Sequence, residues 1–590
     1  MNKSGSIDHL PPHWQGLEAL PQPRPASLKS LSLPRASSLL FVAAIAGTVS
    51  LFVLQVALLF RYTVDDAFIS YRYAQNLANG FGLVFNQGER VEGYTNFLWV
   101  LMLAGASKLS ADPEMASKAL GLAFAFGTLP VTWLLGSALR RPPHPIVSLV
   151  APALLAVNPA IASWTVGGLE AMSLAFFVTL GVYLYLIEQR DGAPLSALPL
   201  LAAALSRPEG VWLWAITLIH RLARRRRLSP QDRSSIQKEL AFVGLFLVPY
   251  VTYLIWRFSY YDSVLPNTFY ARGGASLEQL RGGLSYGLRF ATEPANLVFW
   301  IVVPFVWLAW RKEGLTSKHS YLSAAVLLYM LYIVLSDGDW MPAWRFFVPI
   351  LPLMAVMVQD VVAQAWQFVA ARATARYPRR AAVGVGAFAV ALILLLSGAT
   401  FARSHDDLLS DYNQASRTVA QFLREQGGPD ASLAVTDAGV LPYESGLRTL
   451  DLTGLVDSHI GHLPGKLNRK TDVAYVLDKK PTFIELQLDG TFVLKPISAE
   501  RHGSLPAFED AQFFEFPENT DLSSIVGHGP FLTNTYASSE RFRREYRLWF
   551  AYRPNSQEAH SGTYVLIFVR PEALPADLRT SASSEEQLQP

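Results

Sequence analysis

Uncharged apolar runs recur along the first two thirds of the chain and stop near Phe401. The first, residues 37–60, holds 24 residues without a charge. As a helix it extends about 36 Å, enough to cross a bilayer core. The pattern predicts eleven transmembrane spans, at 38–60, 115–139, 146–163, 170–187, 194–206, 209–222, 238–257, 296–310, 319–336, 345–370 and 380–401. Several fall short of about 20 residues, so some spans are expected to be broken helices. A further apolar stretch, 96–109, is assigned to a helix lying at the membrane surface.

The loop charges support this assignment. With the N-terminus inside, the even-numbered spans end beside Arg140 and Arg141, Arg190, the four arginines 224–227, Arg311 and Lys312, and Arg379 and Arg380. Basic residues concentrate on the cytoplasmic side of membrane proteins. The opposite loops carry Asp65, Asp66, Glu89, Glu92, Glu170, Asp262, Asp337 and Asp339. Counting 96–109 as a span would place the arginines 224–227 outside.

Flanking this membrane region, 37–401, are two segments of different character. Residues 1–36 hold six prolines and no periodic pattern, which predicts a disordered cytoplasmic tail. The first apolar run lacks a convincing cleavage site and reads as a retained span. Residues 402–590 contain no membrane-length run and predict a soluble α/β domain outside the cytoplasm. Helical spacing covers 412–426, and strands are expected at 432–435, 482–488 and 563–569.

Composition agrees with a membrane protein. The 590 residues are 51% hydrophobic with a mean hydropathy of +0.23. The net charge of +3 gives no basic face for nucleic acid, and cysteine is absent, which excludes disulfides and thiolate metal sites.

The candidate chemistry begins where the first span ends. Asp65 and Asp66 sit at that exit, placed to take a proton from a hydroxyl or to hold a metal. A solvated loop start is the plain alternative. The segment continues Asp65-Asp66-Ala67-Phe68-Ile69-Ser70-Tyr71-Arg72-Tyr73-Ala74, then Gly80-Phe81-Gly82-Leu83-Val84-Phe85-Asn86 and Gly88-Glu89-Arg90-Val91-Glu92-Gly93-Tyr94-Thr95-Asn96-Phe97-Leu98-Trp99. It resembles the first extracytoplasmic loop of the GT-C integral-membrane glycosyltransferases, most of all the arabinofuranosyltransferase B type. Two later segments are similar to that family too: Tyr261-Asp262-Ser263-Val264-Leu265-Pro266-Asn267-Thr268-Phe269-Tyr270-Ala271, and Asp337-Gly338-Asp339-Trp340-Met341-Pro342-Ala343-Trp344-Arg345-Phe346.

The resemblance implies an inverting transfer from a polyprenyl-phosphate sugar, with decaprenyl-phosphate arabinofuranose as one donor, to a cell-envelope glycan or glycolipid. It implies a multi-pass protein of the cytoplasmic membrane bilayer, working on its outer side. It makes Asp65 the preferred base, with Asp66 either positioning the acceptor or binding a divalent metal. No other cofactor is implied. Phosphate needs fixed cations, and arginine is the best geometric match. Arg72, Arg207 and Arg345 are the candidates, with snorkelling or pairing with Glu209 or Asp339 as the alternatives. The expected sugar and acceptor contacts are Tyr71, Tyr94, Glu170, Asn267, Tyr270, Asp339 and Trp340. For the aromatic residues an interfacial belt is the competing account, and for Glu170 a helix cap. Asp360, deep in a span, reads as a packing pair rather than a proton path. His459 and His462 lack a third ligand for a metal. The segments Thr436-Asp437-Ala438-Gly439 and Asp451-Leu452-Thr453-Gly454-Leu455 shape either turns or a crevice for acceptor. Two other functions fit parts of the pattern: a transporter of lipid-linked substrate, and a non-catalytic envelope protein on the same fold.

The topology has a direct test. Alkaline phosphatase fused after Phe401 is expected to be active. An inactive fusion there, with an active cytoplasmic reporter at the same junction, would reverse the assignment.

Overall fold

The computed structural model describes residues 35–140, 145–190, 192–230, 234–273, 277–312, 317–372, 379–408, 412–428, 430–488, 495–496, 511–515, 530–554 and 564–573. Residues 1–46 and 47–590 form two compact units. The expected tail lies almost wholly outside the described residues.

The apolar runs are helical throughout. Helix α1 covers Arg35–Leu58, α2 Ala67–Ala78, α3 Phe97–Lys108 and α4 Pro113–Leu139. Among the described residues five helices are long and apolar enough to cross a membrane, or up to seven if each bent pair is one span. The bent pairs are Pro145–Ala156 with Pro159–Val166, at 56°, and Leu277–Thr292 with Pro294–Trp307, at 95°. Proline opens the second member of each, where its missing N–H costs nothing. Shorter apolar helices lie at Ala171–Ile187, Ala197–Ser206 and Val390–Arg403. The helix expected at the surface, α3, has 12 residues, about 18 Å, too short to cross a hydrocarbon core unaided. Large apolar side chains stay exposed on the outer helix faces, Leu240, Val248, Ile255 and Leu395 among them. Such a surface suits lipid and not water.

The predicted helix after Phe401 is present at Tyr412–Gly427. It is followed by a seven-stranded sheet in the order β2-β1-β3-β7-β6-β5-β4. The strands are β1 Ser432–Val435, β2 Arg448–Asp451, β3 Phe483–Leu488, β4 Lys495–Pro496, β5 Ala511–Glu515, β6 Arg547–Pro554 and β7 Tyr564–Val569. The first three pair in parallel, and β7, β6, β5 and β4 continue antiparallel. Both faces are buried. Leu433, Val435, Phe483, Val565 and Ile567 join the core that also contains the helices. Ala434, Ile484, Leu486, Leu566 and Phe568 form a second core under Leu532, Tyr536 and Phe542. The period-two alternation of each strand divides these two sets. Core packing is therefore continuous across the compositional change at Phe401.

Hydrogen bonds fasten the sheet to the first loop. Arg72 donates from Nε to the Phe85 carbonyl at 2.9 Å. Its Nη1 donates to the Pro442 carbonyl at 2.7 Å and Thr449 Oγ1 at 3.3 Å. Its Nη2 donates to Asn86 Oδ1 at 3.4 Å and the Leu447 carbonyl at 2.8 Å. All five N–H groups are used, so Arg72 is an anchor and has no donor left for a phosphate. Asn267 is a second anchor. Its Nδ2 reaches the carbonyls of Gly454, Leu455 and Asp457, in the turn closed by Asp451, whose Oδ1 accepts from Thr453 and whose Oδ2 accepts from Val456. The Asp451 segment thus makes a turn that docks Asn267. In the membrane half, Asp360 pairs with Arg140 at 2.5 Å and His319 at 3.6 Å, the packing role expected for it.

Replacing Arg72 by Gln strands several buried carbonyls. The loss should be roughly 3 kcal/mol, read as lower thermal stability in detergent. A variant as stable as wild type would return Arg72 to the candidate binding residues.

Candidate active site

The turn between α1 and α2 is held from three sides. Lys118 of α4 reaches it with a buried ammonium, donating to the carbonyls of Phe60 at 2.8 Å and Tyr62 at 2.7 Å, to Thr63 Oγ1 at 2.8 Å, and to the Val166 carbonyl at 3.3 Å. The Val64 N–H donates to the Gly167 carbonyl at 3.1 Å. Asn413, from the helix before the sheet, donates to the Thr63 carbonyl at 2.6 Å. The turn then presents Asp65 and Asp66 side by side.

The two carboxylates have different surroundings. Asp65 Oδ1 accepts from the Val440 N–H at 2.9 Å. Its other oxygen lies against Gly439, where an added Cβ would sit 2.0 Å away. Burial, then the charge of Asp437, push its carboxyl well above the usual range, against the opposing Val440 hydrogen bond. Asp66 occupies the N-cap position of α2 without a capping hydrogen bond. Burial raises its carboxyl to about 6, moderated by the positive charge of Arg345. Asp66 therefore has cations among its neighbouring charges as well as Asp437 and Asp339, and Asp65 has carboxylates alone.

The cations come from two other loops. Residues 337–344 carry left-handed backbone at Asp337 (φ 69°), Gly338 (φ 68°), Ala343 (φ 56°) and Trp344 (φ 54°). Such strain is tolerated where surrounding structure dictates it, often at functional sites. The loop is pinned by Trp164, whose Nε1 donates to the Ala343 carbonyl at 2.8 Å. It presents Asp339 and Arg345, paired at 2.7 Å through Arg345 Nε. The two Nη groups of Arg345 make no hydrogen bond among the described residues. Asp339 Oδ1 is buried without a hydrogen-bond partner.

Sequence reasoning missed two members of this cluster. Arg272 ends the short helix Asn267–Arg272. It is exposed to solvent and forms no ion pair among the described residues. It is nonetheless set among enough protein for burial to lower its pKa, opposed by Asp339 and reinforced by Arg345 and Arg207. The signal was its position, directly after the family-like segment ending at Ala271. Tyr62 is buried and its hydroxyl lacks a partner. Burial keeps the phenol protonated, and Arg345, Asp339 and Asp66 are the charges that act on it.

The remaining expected residues have other work. Arg207 sits between Glu170 at 3.1 Å and Glu209 at 2.8 Å, so its charge is already matched. Glu170 uses Oε1 for Arg207 and Oε2 for Asn96 Nδ2 at 2.7 Å, which leaves no oxygen unbonded for sugar, and it does not cap its helix through the side chain. Tyr71 is fully buried, bonded to Ser117 at 2.7 Å. Tyr94 is buried against Tyr261, with hydroxyls 3.1 Å apart. Both are core residues and not sugar contacts. Tyr270 stacks on His462 at 4.2 Å, and Trp340 is 67% exposed. His459 pairs with Asp472 at 2.9 Å. Among the described residues no three His, Asp or Glu side chains converge to hold a metal.

The geometry thus combines a raised carboxyl pair, two guanidinium groups with unused donors and a buried phenol. It fits a base beside an anion. Arg345→Lys and Arg272→Gln are each expected to weaken binding of a polyprenyl phosphate about tenfold, because a bidentate donor is lost. Isothermal titration with undecaprenyl phosphate reads this. Unchanged affinity in both variants would remove these arginines from the anion site.

A family model described as Domain of unknown function (DUF8728) matches residues 406–558. The chain is 32% identical over 251 residues to a terminal beta-(1->2)-arabinofuranosyltransferase of Mycobacterium tuberculosis, covering 38% of each protein. It is 25% identical over 383 residues to the protein of the same name from Corynebacterium glutamicum, covering 58% of this chain and 55% of that one. The chain therefore matches less than two thirds of either relative's length. In fold it is similar to the crystal structure of ArnT from Cupriavidus metallidurans bound to undecaprenyl phosphate, with a TM-score of 0.52 and 11% identity over 78% of this chain and 96% of that one. The resemblance to GT-C glycosyltransferases of the arabinofuranosyltransferase type, first carried by three loops, holds in sequence and in fold.

Proposed function

We propose that this protein is a membrane glycosyltransferase that moves a sugar from a polyprenyl phosphate to a cell-envelope glycan on the outer side of the cytoplasmic membrane. One observation carries the reading: Asp66 lies within electrostatic reach of Arg345 and Arg272, and Arg345 spends only its Nε, on Asp339, among the described residues. The names of the curated relatives point to arabinofuranose as the sugar. The undecaprenyl phosphate of the ArnT structure supports a lipid phosphate as the carrier.

The chemistry follows from the placement. The acceptor hydroxyl attacks the anomeric carbon while Asp65 takes its proton. The bond from that carbon to the phosphate oxygen breaks, and the electron pair leaves on the polyprenyl phosphate. Arg345 Nη and Arg272 meet that growing charge, and the unpartnered Tyr62 hydroxyl is a further donor. Fixed donors in a dry site stabilise such charge more than water does. Asp66 stands between base and cations and orients the acceptor. The pairing of Asp360 with Arg140 and His319 supports the packing role over a proton path.

Asp65→Asn is expected to lower kcat by at least about 10²-fold with donor affinity retained, since an amide cannot accept the proton. The wild-type rate should also depend on pH in a set direction. Asp65 and Asp66 hold protons above the usual carboxylate range, about 6 for Asp66, and the base must be ionised. Activity should therefore rise through pH 6 and above. A profile already flat at pH 5, or near wild-type turnover by Asp65→Asn, would place the base elsewhere.

A further inference from the structure

The loop that seats Asp65 carries a second carboxylate which the chemistry above leaves unused. Residues 436–440 leave the carboxyl end of β1, the end at which parallel sheets present their loops to ligands. Asp437 lies on this loop, and its Oδ2 accepts from Gln487 Nε2 at 2.6 Å. Behind it stands Glu485 of β3, 2% exposed. The Thr436 N–H and hydroxyl both donate to Glu485 Oε2, at 2.7 Å each. Glu485 Oε1 is buried without a hydrogen-bond partner. Burying a carboxylate with one oxygen unbonded favours the neutral acid, against the two donations from Thr436. Strand alternation puts Glu485 and Gln487 on the sheet face whose Phe483 belongs to the core shared with the helices.

We propose that Asp437 and Glu485 are positioning residues of the reaction site: ionised Asp437 strengthens Asp65 as a base, and protonated Glu485 lets Asp437 keep its charge beside Asp65. In the transfer step Asp437 exchanges no proton. The proton passes from the acceptor oxygen to Asp65 alone, and Asp437 acts through space. The charged and titratable groups facing Asp65 are Asp66 of its own turn, Asp437 of the loop, Glu485 of β3 and Tyr552 of β6. Burial, then Asp437, push the Glu485 carboxyl up to about 8, against the opposing hydrogen bonds from Thr436. This assignment rests on the glycosyl-transfer reading for its rate measurements and is independent of it for its spectroscopic ones.

The test uses the full chain in lipid nanodiscs. With radiolabelled decaprenyl-phosphate arabinofuranose as donor, Asp437→Asn should move the acid limb of kcat/KM down by about one pH unit and lower the plateau about tenfold, with KM for donor unchanged. A lower plateau with an unmoved acid limb is what a merely structural role gives, and it overturns the proposal. Infrared spectra of the same samples need no turnover. A protonated-carboxyl band should be present at neutral pH, vanish as the pH passes about 8, and be missing in Glu485→Gln. The band lost in Asp65→Asn should titrate at lower pH in Asp437→Asn. No band at neutral pH in wild type, its persistence in Glu485→Gln, or an unshifted Asp65 band each overturns the proposal. If the bands behave as expected while wild type consumes no polyprenyl-phosphate sugar, the carboxylate pairing stands and the transfer reading falls.

Discussion

The Lys118 ammonium is the constraint on which the site depends. A buried cation is costly unless its hydrogen-bonding capacity is met. Here four oxygens surround it, three from the turn between α1 and α2 and one from the helix ending at Val166. Moving the turn would leave both the ammonium and the carbonyls unpaired in a dry region. The turn is therefore set at one place and one angle. Asp65 and Asp66 inherit that position, and Asp66 does so without a side-chain capping bond.

Around this fixed turn the charges sort by side. The sheet contributes carboxylates, Asp437 and Glu485, behind Asp65. The loop 337–345 and the end of the helix Asn267–Arg272 contribute guanidinium groups beside Asp66. The difference between the two aspartates follows from this sorting. Both are raised by burial, but only Asp66 has Arg345 and Arg272 to moderate the effect. A base wants negative neighbours, and a leaving phosphate wants positive ones. Two adjacent residues can serve both ends because they point toward different structural halves.

The sheet is part of this machinery and not an appendage. One of its faces belongs to the helical core, and Arg72 and Asn267 bind its loops to the first and second family-like regions of the membrane half. Gly439 shows how close the approach is: a single added methyl group would collide with the Asp65 carboxylate. The sheet loop can thus alter the base without touching substrate.

Much of this was legible in the residue order. Apolar runs became helices because a chain leaving water must satisfy its own backbone, and only helical hydrogen bonds do so locally. The runs at 432–435, 482–488 and 563–569 became strands of a two-sided buried sheet for a similar local reason, their dense β-forming apolar residues. The Asp pair and Arg345 stood out because charge at a membrane exit is costly and seldom idle. What the order of residues left undecided was which polar groups remain free. Arg72, Tyr71, Tyr94 and Asn267 sit in the same motifs as the site, yet their hydrogen bonds go to partners 13 to 377 positions away in the chain. Arg272 and Tyr62 looked ordinary and proved unpaired. Hydrogen-bond satisfaction is a property of neighbours in space. The sequence by itself determined where charge and apolar surface lie along the chain, whereas only the tertiary structure decided which charges are spent on holding the fold and which remain for chemistry.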